Sequence, residues 1–522
     1  MPKPYQRVEM NRPRRTAFSI SNYKIFDCDL GQLIPVFHRK MVPGDSFRIG
    51  NEIVIRANPL VAPLMHEINV FVHYFFVPFR IMWPKPVVDG SSYPADVSSW
   101  EEFFTGGIDG TLEPVKPKWI PSTIAQTTLH TLWDYFGFPI DVIPVGSYPD
   151  VWPLRAYNMV WNEYYRDQNY MNEVDLDDWN LKRRCWEKDY FTTALPWQQR
   201  GQAPALPITG FTSAIWDASR IAILNDVAST RLQSGDVNNI NTSGKIGTPN
   251  QPNNDSLRDF LNSNKVDLAS ASTFDVNDLR LAFQTQKFLE RNARAGGRYI
   301  EQLKAHYGVS PRDDRMQRPE YIGGSRTPVI ISEVLQTSQT SSESPQGTLA
   351  GHGITVDKQY IASYYAPEHG YVIGIMSMMP RPVYQQGIDR ELLGVTRWDE
   401  LLPEFVSLGE QAVYRAEIYA TGVEAENKTV FGFQGRYDEY RTARNQVCGL
   451  LRNSAPNNLS FWHIARYFQT PPALNQEFLE CNPRKDYLAV PDLPGWIVTF
   501  GNRVRAVRPL PAYGTPGLID HH

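Results

Sequence analysis

Residues 66–79 read HEINVFVHYFFVPF and form the longest strongly apolar stretch of the chain. Apolar side chains occupy both odd and even positions, which is typical of a β-strand buried on both faces. The stretch is shorter than the ~18 apolar residues of a membrane span. Further strand-like runs, separated by Gly or Pro, are predicted at residues 47–49, 52–56, 328–335, 360–366, 371–378, 413–419 and 495–507.

Helices are predicted between the early and the late strands. One has Asp150 as its cap and Pro153 in its first turn, and it ends near residue 168. Shorter or later helices are predicted at residues 96–104, 129–136, 275–294 and 300–307. If the early and late strands pair, the connectivity is non-local, as in a Greek key or a jelly roll.

Residues 225–275 differ from the rest of the chain in composition. They contain nine Asn and seven Ser, and no aromatic residue occurs between Trp216 and Phe260. Such a tract is too polar to form a core. We therefore predict a surface excursion.

The overall composition is that of a globular protein. Of 522 residues 42% are hydrophobic and 12% aromatic, and the mean hydropathy is −0.39. With 40 prolines and 35 glycines, short strands joined by long loops are favoured over helical bundles. The basic N-terminus lacks the apolar core of a signal peptide. Four cysteines without CxxC spacing are predicted to be buried, reduced thiols: Cys28, Cys185, Cys448 and Cys481.

Positive charge is concentrated at the two ends of the chain. Residues 1–24 carry a net charge of +5 and residues 503–522 a net charge of +2, which leaves −11 for the body of a chain whose total is −4. Lys and Arg neutralise phosphates and release counterions, so basic ends favour contact with nucleic acid. A solvated, poorly ordered terminus is the alternative.

No catalytic or metal-binding motif is recognisable in the sequence. P-loop, dinucleotide-binding, HExxH, EF-hand and nucleophile-elbow patterns are absent. The sequence Gly323-Gly324-Ser325 is predicted to be a turn, and His38, His66 and His73 to be core or interface residues. The densest carboxylate cluster, Asp175, Asp177 and Asp178, is interpreted as a solvated loop or helix start. Neither a catalytic residue, a metal ligand nor a cofactor site is therefore assigned.

Five stretches resemble the major capsid proteins of the Microviridae, small single-stranded DNA bacteriophages, and within them the gokushovirus branch. They are FDCDLGQLIP at 26–35, HEINV at 66–70 with YFFVPFRIMW at 74–83, RAYNMVWNEYYRDQN at 155–169, QRPEYIGGS at 317–325 and VFGFQGRYDEY at 430–440. They follow family order. The tract 225–275 has no match, and that region varies in the family.

The resemblance implies a mainly β fold, an eight-stranded antiparallel viral jelly roll of two facing sheets with large helical and loop insertions. It predicts a basic arm at 1–24, a jelly-roll domain at 25–522, a helical and loop insertion at 81–200, and a variable surface insertion at 200–295. In gokushovirus-like capsids the loop between the fifth and sixth strands carries such an insertion, and three copies form a protrusion that is thought to contact the host. We assign that role to 200–295, with these residues as receptor candidates: Asn238, Asn239, Asn241, Asn250, Asn253 and Asn254.

The resemblance also implies a structural role without catalysis. Identical subunits would form a T=1 icosahedral shell around circular single-stranded DNA, in a virion assembled in the bacterial cytoplasm. Expected partners are copies of the chain, the packaged DNA, small DNA-binding, internal scaffolding and minor or pilot proteins, and a host receptor, without membrane insertion. Residues predicted to face the DNA are Lys3, Arg7, Arg12, Arg14, Arg15, Arg503, Arg505 and Arg508, with Tyr5 and Phe18 available to stack on bases.

Six aromatic residues in predicted loops are expected, as a group, to contribute to subunit interfaces: Trp100, Phe103, Phe104, Trp119, Trp133 and Trp152. The alternative is that they cover the barrel of their own chain. Two other functions remain open at this point. A carbohydrate-binding or carbohydrate-active jelly roll would need an aromatic groove with two opposed carboxylates, first sought at 175–178. A non-viral nucleic-acid-binding protein would rest on the basic arm alone.

Overall fold

The computed structural model describes residues 15–83, 99–105, 116–204, 214–215, 265–266, 276–296, 298–335 and 349–513. The chain divides into two compact units, residues 1–198 with 292–522, and residues 199–291. The first unit is mainly antiparallel β-sheet with short helices. Its strands form two large sheets and one small one.

The larger sheet has six strands, all paired antiparallel. They are β1 Thr16–Ser19, β2 Asn22–Cys28, β4 Ser46–Ala57, β9 Ile330–Leu335, β10 Leu349–Tyr365 and β14 Trp496–Arg508. The order is β1-β14-β4-β10-β9, and β2 pairs with β14 beside β1. The longest strands therefore come from the beginning, the later part and the end of the chain, as the predicted non-local pairing requires.

The second large sheet has four antiparallel strands. They are β3 Ile34–Met41, β5 Ile68–Pro78, β8 Glu320–Pro328 and β11 Gly370–Pro380, in the order β3-β11-β5-β8. The central strand β11 is buried at every position and β5 at nearly every one. The apolar pattern of residues 66–79 thus correctly predicts a strand that is covered on both faces.

One hydrophobic cluster joins the two sheets. It contains Phe47 and Ile49 of β4, Phe500 of β14, and Val72 and Phe76 of β5, all fully buried. Because these side chains come from one face of each sheet, the two sheets pack face to face around a common core.

Helices cover the other face of the four-stranded sheet. They are α1 Phe79–Met82, α2 Trp100–Thr105, α3 Leu132–Tyr135 and α4 Trp152–Val160, which continues as a π-helix, Trp161–Tyr165. A second cluster packs Ile373 and Ile375 of β11 against Trp152 and Tyr157 of α4. The four-stranded sheet is therefore a middle layer between the larger sheet and the helices.

The remaining elements are short, apart from one helix. In the first unit they are β12 Glu410–Tyr414, β13 Val430–Gly435, α6 Tyr299–Tyr307, α7 Arg415–Ile418, α8 Glu424–Asn427, α9 Gln476–Leu479 and the 3₁₀ turns Ile124–Thr127, Arg390–Leu392, Pro403–Phe405, Asp438–Tyr440, Gly449–Leu451 and Ser460–Trp462. In the second unit β6 Ala214–Ile215 pairs with β7 Lys265–Val266, and α5 Val276–Ala295 begins there.

Several local predictions were wrong in detail. The helix predicted from Asp150 to about 168 begins at Trp152 and ends at Tyr165. Asp150 does not cap it, because its carboxylate accepts hydrogen bonds from Lys118 and Lys40 instead. The strand predicted at 413–419 ends at Tyr414, where the Glu417 carboxylate accepts a hydrogen bond from the backbone N–H of Tyr414 and starts α7.

The predicted turn Gly323-Gly324-Ser325 is part of strand β8. Gly324 lies opposite His73 of β5. A β-carbon on Gly324 would lie 2.6 Å from the carbonyl oxygen of Val72. The glycine is required by this close approach between strands and not by a turn.

Three other expectations changed with tertiary packing. Part of the predicted arm is sheet, because residues 16–19 and 22–24 pair with β14. Among the loop aromatics, Trp119, Trp133 and Trp152 are buried within this one chain and cannot serve a subunit interface, whereas Phe104 is 64% exposed. Cys448 is also exposed, contrary to the prediction for the thiols.

Candidate nucleic-acid interface

The outer face of the six-stranded sheet is built by strict alternation in β14. Its sequence, WIVTFGNRVRAVR, directs Val498, Phe500 and Val504 into the core and leaves Arg503 and Arg505 exposed on the opposite face. Strand β4 pairs with β14 on one side and with β10 on the other along this face. The result is a regular exposed surface whose charges are set by strand register.

Register brings cations from three strands together on this face. Arg505 lies directly opposite Arg48 of β4, and Lys358 of β10 lies opposite Glu52. Glu52 forms an ion pair with Arg503. Within the described part of the chain, neither Arg48, Arg505 nor Lys358 forms an ion pair. Because like charges directly opposite each other destabilise a sheet, Arg48 and Arg505 favour an anion between them.

An exposed aromatic side chain borders these cations. Tyr360 of β10 is 67% exposed. Gly50 of β4 pairs with both Tyr360 and Arg503 in the register. Arg48, Arg505 and Tyr360 line a shallow depression of about 690 Å³, which Phe18 also borders. Phe18 was predicted to stack on bases, but it lies opposite the buried Ala506, so its side chain is on the core side of the sheet. Cations beside an exposed aromatic ring are the elements that hold single-stranded nucleic acid.

The predicted DNA-facing residues are distributed unevenly. Lys3, Arg7, Arg12 and Arg14 lie outside the described residues, as does Tyr5. Arg15 is exposed and its guanidinium lies 5.7 Å from the ring centre of Tyr365. Of the described predicted cations, Arg505 alone has neither an ion pair nor a ring contact.

Arg508 is held inside its own chain. Its guanidinium lies 3.4 Å from the carboxylate of Asp45, which is fully buried, and donates a hydrogen bond to the carbonyl of Lys40. Burial raises the pKa of Asp45, while Arg508 and Arg15 oppose the shift. Arg508 therefore has a structural role in joining β14 to the turn after β3.

Two cations of this face were missed by sequence reasoning. Arg48 and Lys358 lie far from the chain ends in sequence, and neither belongs to a charge cluster. The alternation within β4 could have suggested that Arg48 is exposed. Its position opposite Arg505 could not have been found without the register.

The other predicted site residues do not form a second site. The six receptor candidates from Asn238 to Asn254 lie outside the described residues. Asp177 accepts two hydrogen bonds from the buried Arg155, at 2.7 and 2.8 Å, and Asp178 pairs with Lys182. Asp177 therefore holds the polypeptide after α4 to that helix, and no opposed carboxylate pair forms at 175–178.

The three predicted core or interface histidines are largely buried, and desolvation lowers the pKa of each to about 4. His38 and His73 hydrogen-bond the hydroxyls of Tyr371 and Tyr165 at 3.0 and 2.8 Å. Desolvation likewise lowers the pKa of Lys24 to about 8, where its ammonium contacts the carbonyls of Pro35 and Tyr135. These groups stabilise loops against the sheets and stand apart from the exposed basic face.

Comparison with known proteins identifies the family. A family model described as capsid protein (F protein) matches residues 6–518. The chain belongs to this capsid protein family. Relatives described as capsid protein VP1 occur in Chlamydia phage 1, with 32% identity over 97% of this chain and 96% of the relative, and in Bdellovibrio phage phiMH2K, with 32% identity over 93% and 92%. Spiroplasma virus 4 has another, with 28% identity over 97% and 96%.

These findings confirm the resemblance to Microviridae capsid proteins. This capsid protein is a structural virion component, and its family implies an oligomeric shell. No helix among the described residues is long and apolar enough to cross a membrane. Within the described residues, no group of three or more His, Cys, Asp or Glu side chains could hold a metal ion.

Proposed function

We propose that this capsid protein is a jelly-roll wedge that assembles with identical copies into a closed T=1 icosahedral shell around single-stranded DNA. The exposed face of the six-stranded sheet would be turned toward the DNA. The observation that carries this orientation is the opposition of Arg48 and Arg505, two cations without an acidic partner in the described part of the chain, beside Lys358.

Strand order supports the jelly roll. The eight long strands of the two sheets, in chain order, are β2, β3, β4, β5, β8, β10, β11 and β14. Every connection between successive members of this set crosses from one sheet to the other, except the one from β5 to β8. Such crossing between facing antiparallel sheets is expected of two interlocked Greek keys.

The exceptional connection supports the assignment of the insertions. Between Pro78 and Glu320 it contains helices α1 to α6 and the whole second unit, residues 199–291. A unit with its own contacts and a polar tract at 225–275 suits a surface protrusion. We propose that the insertion at 200–295, with its asparagines from Asn238 to Asn254, contacts a host receptor.

The remaining partners follow from the same proposal. Basic residues 1–24 would reach the DNA together with the exposed sheet face. Small DNA-binding, internal scaffolding and minor or pilot proteins would complete a virion that is assembled in the host cytoplasm. This division fits a body with a net charge of −11 and two basic ends.

A salt-dependent binding measurement tests the orientation of the basic face. The variant R48Q/R505Q should bind a single-stranded oligonucleotide more weakly, and its slope of log affinity against log salt should fall by about 1.4. A matched control, R312Q/K428Q, removes two exposed cations elsewhere. It should keep the parent slope. Equal slopes for both variants would contradict the assignment, and fluorescence anisotropy provides the measurement.

A further inference from the structure

Residues 119–149 form a lobe that contains few charged residues; we call it the apolar lobe. Its only acidic residues are Asp134 and Asp141, and it contains no Lys or Arg. Its large exposed apolar side chains are Ile120, Ile124, Leu129, Ile140, Val142 and Val145, the last of them 82% exposed. Single exposed apolar residues are ordinary, but a continuous group marks an interaction surface.

A backbone hydrogen bond and a packed aromatic base hold the segments of the apolar lobe together. The backbone N–H of Asp141 donates to the carbonyl of Thr127 at 3.0 Å, which joins the segment of Ile124 and Leu129 to that of Ile140 and Val142. Beneath them Trp119 and Trp133 pack edge to face, with ring centres 5.1 Å apart. Because the base is a packed aromatic cluster, the outer apolar residues cannot turn inward.

Residues 392–408, the apolar segment, also expose a group of apolar side chains, here interspersed with the charged residues Arg397, Asp399, Glu400 and Glu404. Its exposed apolar side chains are Leu392, Val395, Trp398, Leu401, Val406 and Leu408. Val395 is 91% exposed although its loop is fixed, since the Asp399 carboxylate accepts hydrogen bonds from the N–H groups of Val395 and Thr396 at 3.1 and 2.8 Å. Trp398 packs against Phe405, with ring centres 5.6 Å apart.

We propose that the apolar lobe of one copy binds the apolar segment of a neighbouring copy as a head-to-tail contact of the shell. The inference rests on the proposed closed assembly, because rings about threefold or fivefold axes require contacts between two different surfaces of the same chain. A lobe without Lys or Arg does not suit nucleic acid. In the apolar segment the Arg397 guanidinium lies over Trp398, 4.3 Å from the ring centre, and Trp and Arg are the residues enriched at the centres of interfaces.

Two charge-introducing variants test the two surfaces separately. The lobe variant I124D/V145D and the segment variant L392D/V395D change highly exposed residues, so both should retain the parent circular dichroism and melting temperature. In sedimentation velocity each should remain monomeric at concentrations where the parent assembles, with association weakened at least ~100-fold. The control S454D/T470D adds the same charge to exposed polar positions outside both surfaces and should assemble as the parent does.

Mixing the two variants distinguishes the head-to-tail contact from other arrangements. Each variant keeps the surface that the other has lost, so an equimolar mixture should form dimers and nothing larger. Assembly of either variant at the parent level, or a mixture that remains monomeric, would overturn the inference while the proposed shell stands. A parent chain that never associates would instead overturn the proposed self-assembly.

Discussion

The two large sheets share one core but differ in what covers their outer faces. Strand β11 is buried on both sides, since helices α1 to α4 and their aromatic cluster lie against the four-stranded sheet. Strand β14 alternates between buried and exposed positions, and its outward residues include Arg503 and Arg505. The periodicity of burial therefore separates a sheet that acts as a structural middle layer from one that presents a surface.

The largest expected effect compares apolar residues on the two outer faces. Ile373 of β11 is fully buried beneath the helices, so I373A should lower the free energy of unfolding by about 3 kcal/mol. Ile497 of β14 is 45% exposed, so I497A should cost less than ~0.5 kcal/mol. Urea denaturation measures both. Similar losses would mean that the helices do not cover the four-stranded sheet.

A second test compares ion pairs in the two regions. Asp177 holds the buried Arg155, so D177A would leave a desolvated guanidinium unpaired and should cost about 2 kcal/mol. Glu52 and Arg503 are both substantially exposed, so E52A should cost less than ~0.5 kcal/mol. E52A should also strengthen binding to single-stranded DNA by freeing Arg503. Weaker binding by E52A would argue against DNA contact at this face.

Acid should affect the end of the four-stranded sheet. His66 contacts the carbonyl of Arg381 at 2.8 Å through Nε2, and its Nδ1 accepts a hydrogen bond from the N–H of Ile464 at 3.4 Å. Protonation of His66 would place the N–H of Nδ1 against the N–H of Ile464, and this hydrogen bond would be lost. Because burial lowers the pKa of His66 to about 4, stability should fall as pH decreases from about 6.5 and level off below 4.

Thermal unfolding of the parent and H66Q between pH 7 and pH 4 measures this effect. Gln can retain the hydrogen bond to Arg381 but does not titrate, so the variant should show a shallower decline in melting temperature. Parallel declines would assign the acid sensitivity to other groups. His38 and His73, whose pKa values burial also lowers to about 4, should account for part of what remains.

The smallest expected effect concerns base stacking on the exposed face. Y360A should weaken binding to a single-stranded oligonucleotide by about 1 kcal/mol, roughly five-fold, without changing the salt slope. Tyr307 of α6 is similarly exposed, at 77%, and Y307A serves as the matched control. A loss of equal size in Y307A would remove Tyr360 from the interface.

The prediction of strands succeeded where hydrophobic periodicity was unambiguous. Residues 66–79 and 371–378 gave β5 and β11 because burial on both faces leaves an apolar run without alternation. The pair Gly323-Gly324 was wrongly predicted to form a turn. In sequence, a glycine required by the close approach of a neighbouring strand cannot be distinguished from a glycine required by a turn. Asp150 was wrongly predicted to cap a helix, because the lysines that bind its carboxylate come from other parts of the chain.

Local pattern and recognisable motifs were enough to predict the β-rich class, the capsid family and the basic ends. Tertiary structure alone decided that Arg48 meets Arg505, that Arg508 is bound by Asp45, and that Trp119, Trp133 and Trp152 are internal. The physical reason is that register and burial arise from pairing between residues hundreds of positions apart. Such pairing depends on which faces of strands and helices can be buried against each other, and it cannot be predicted from local sequence.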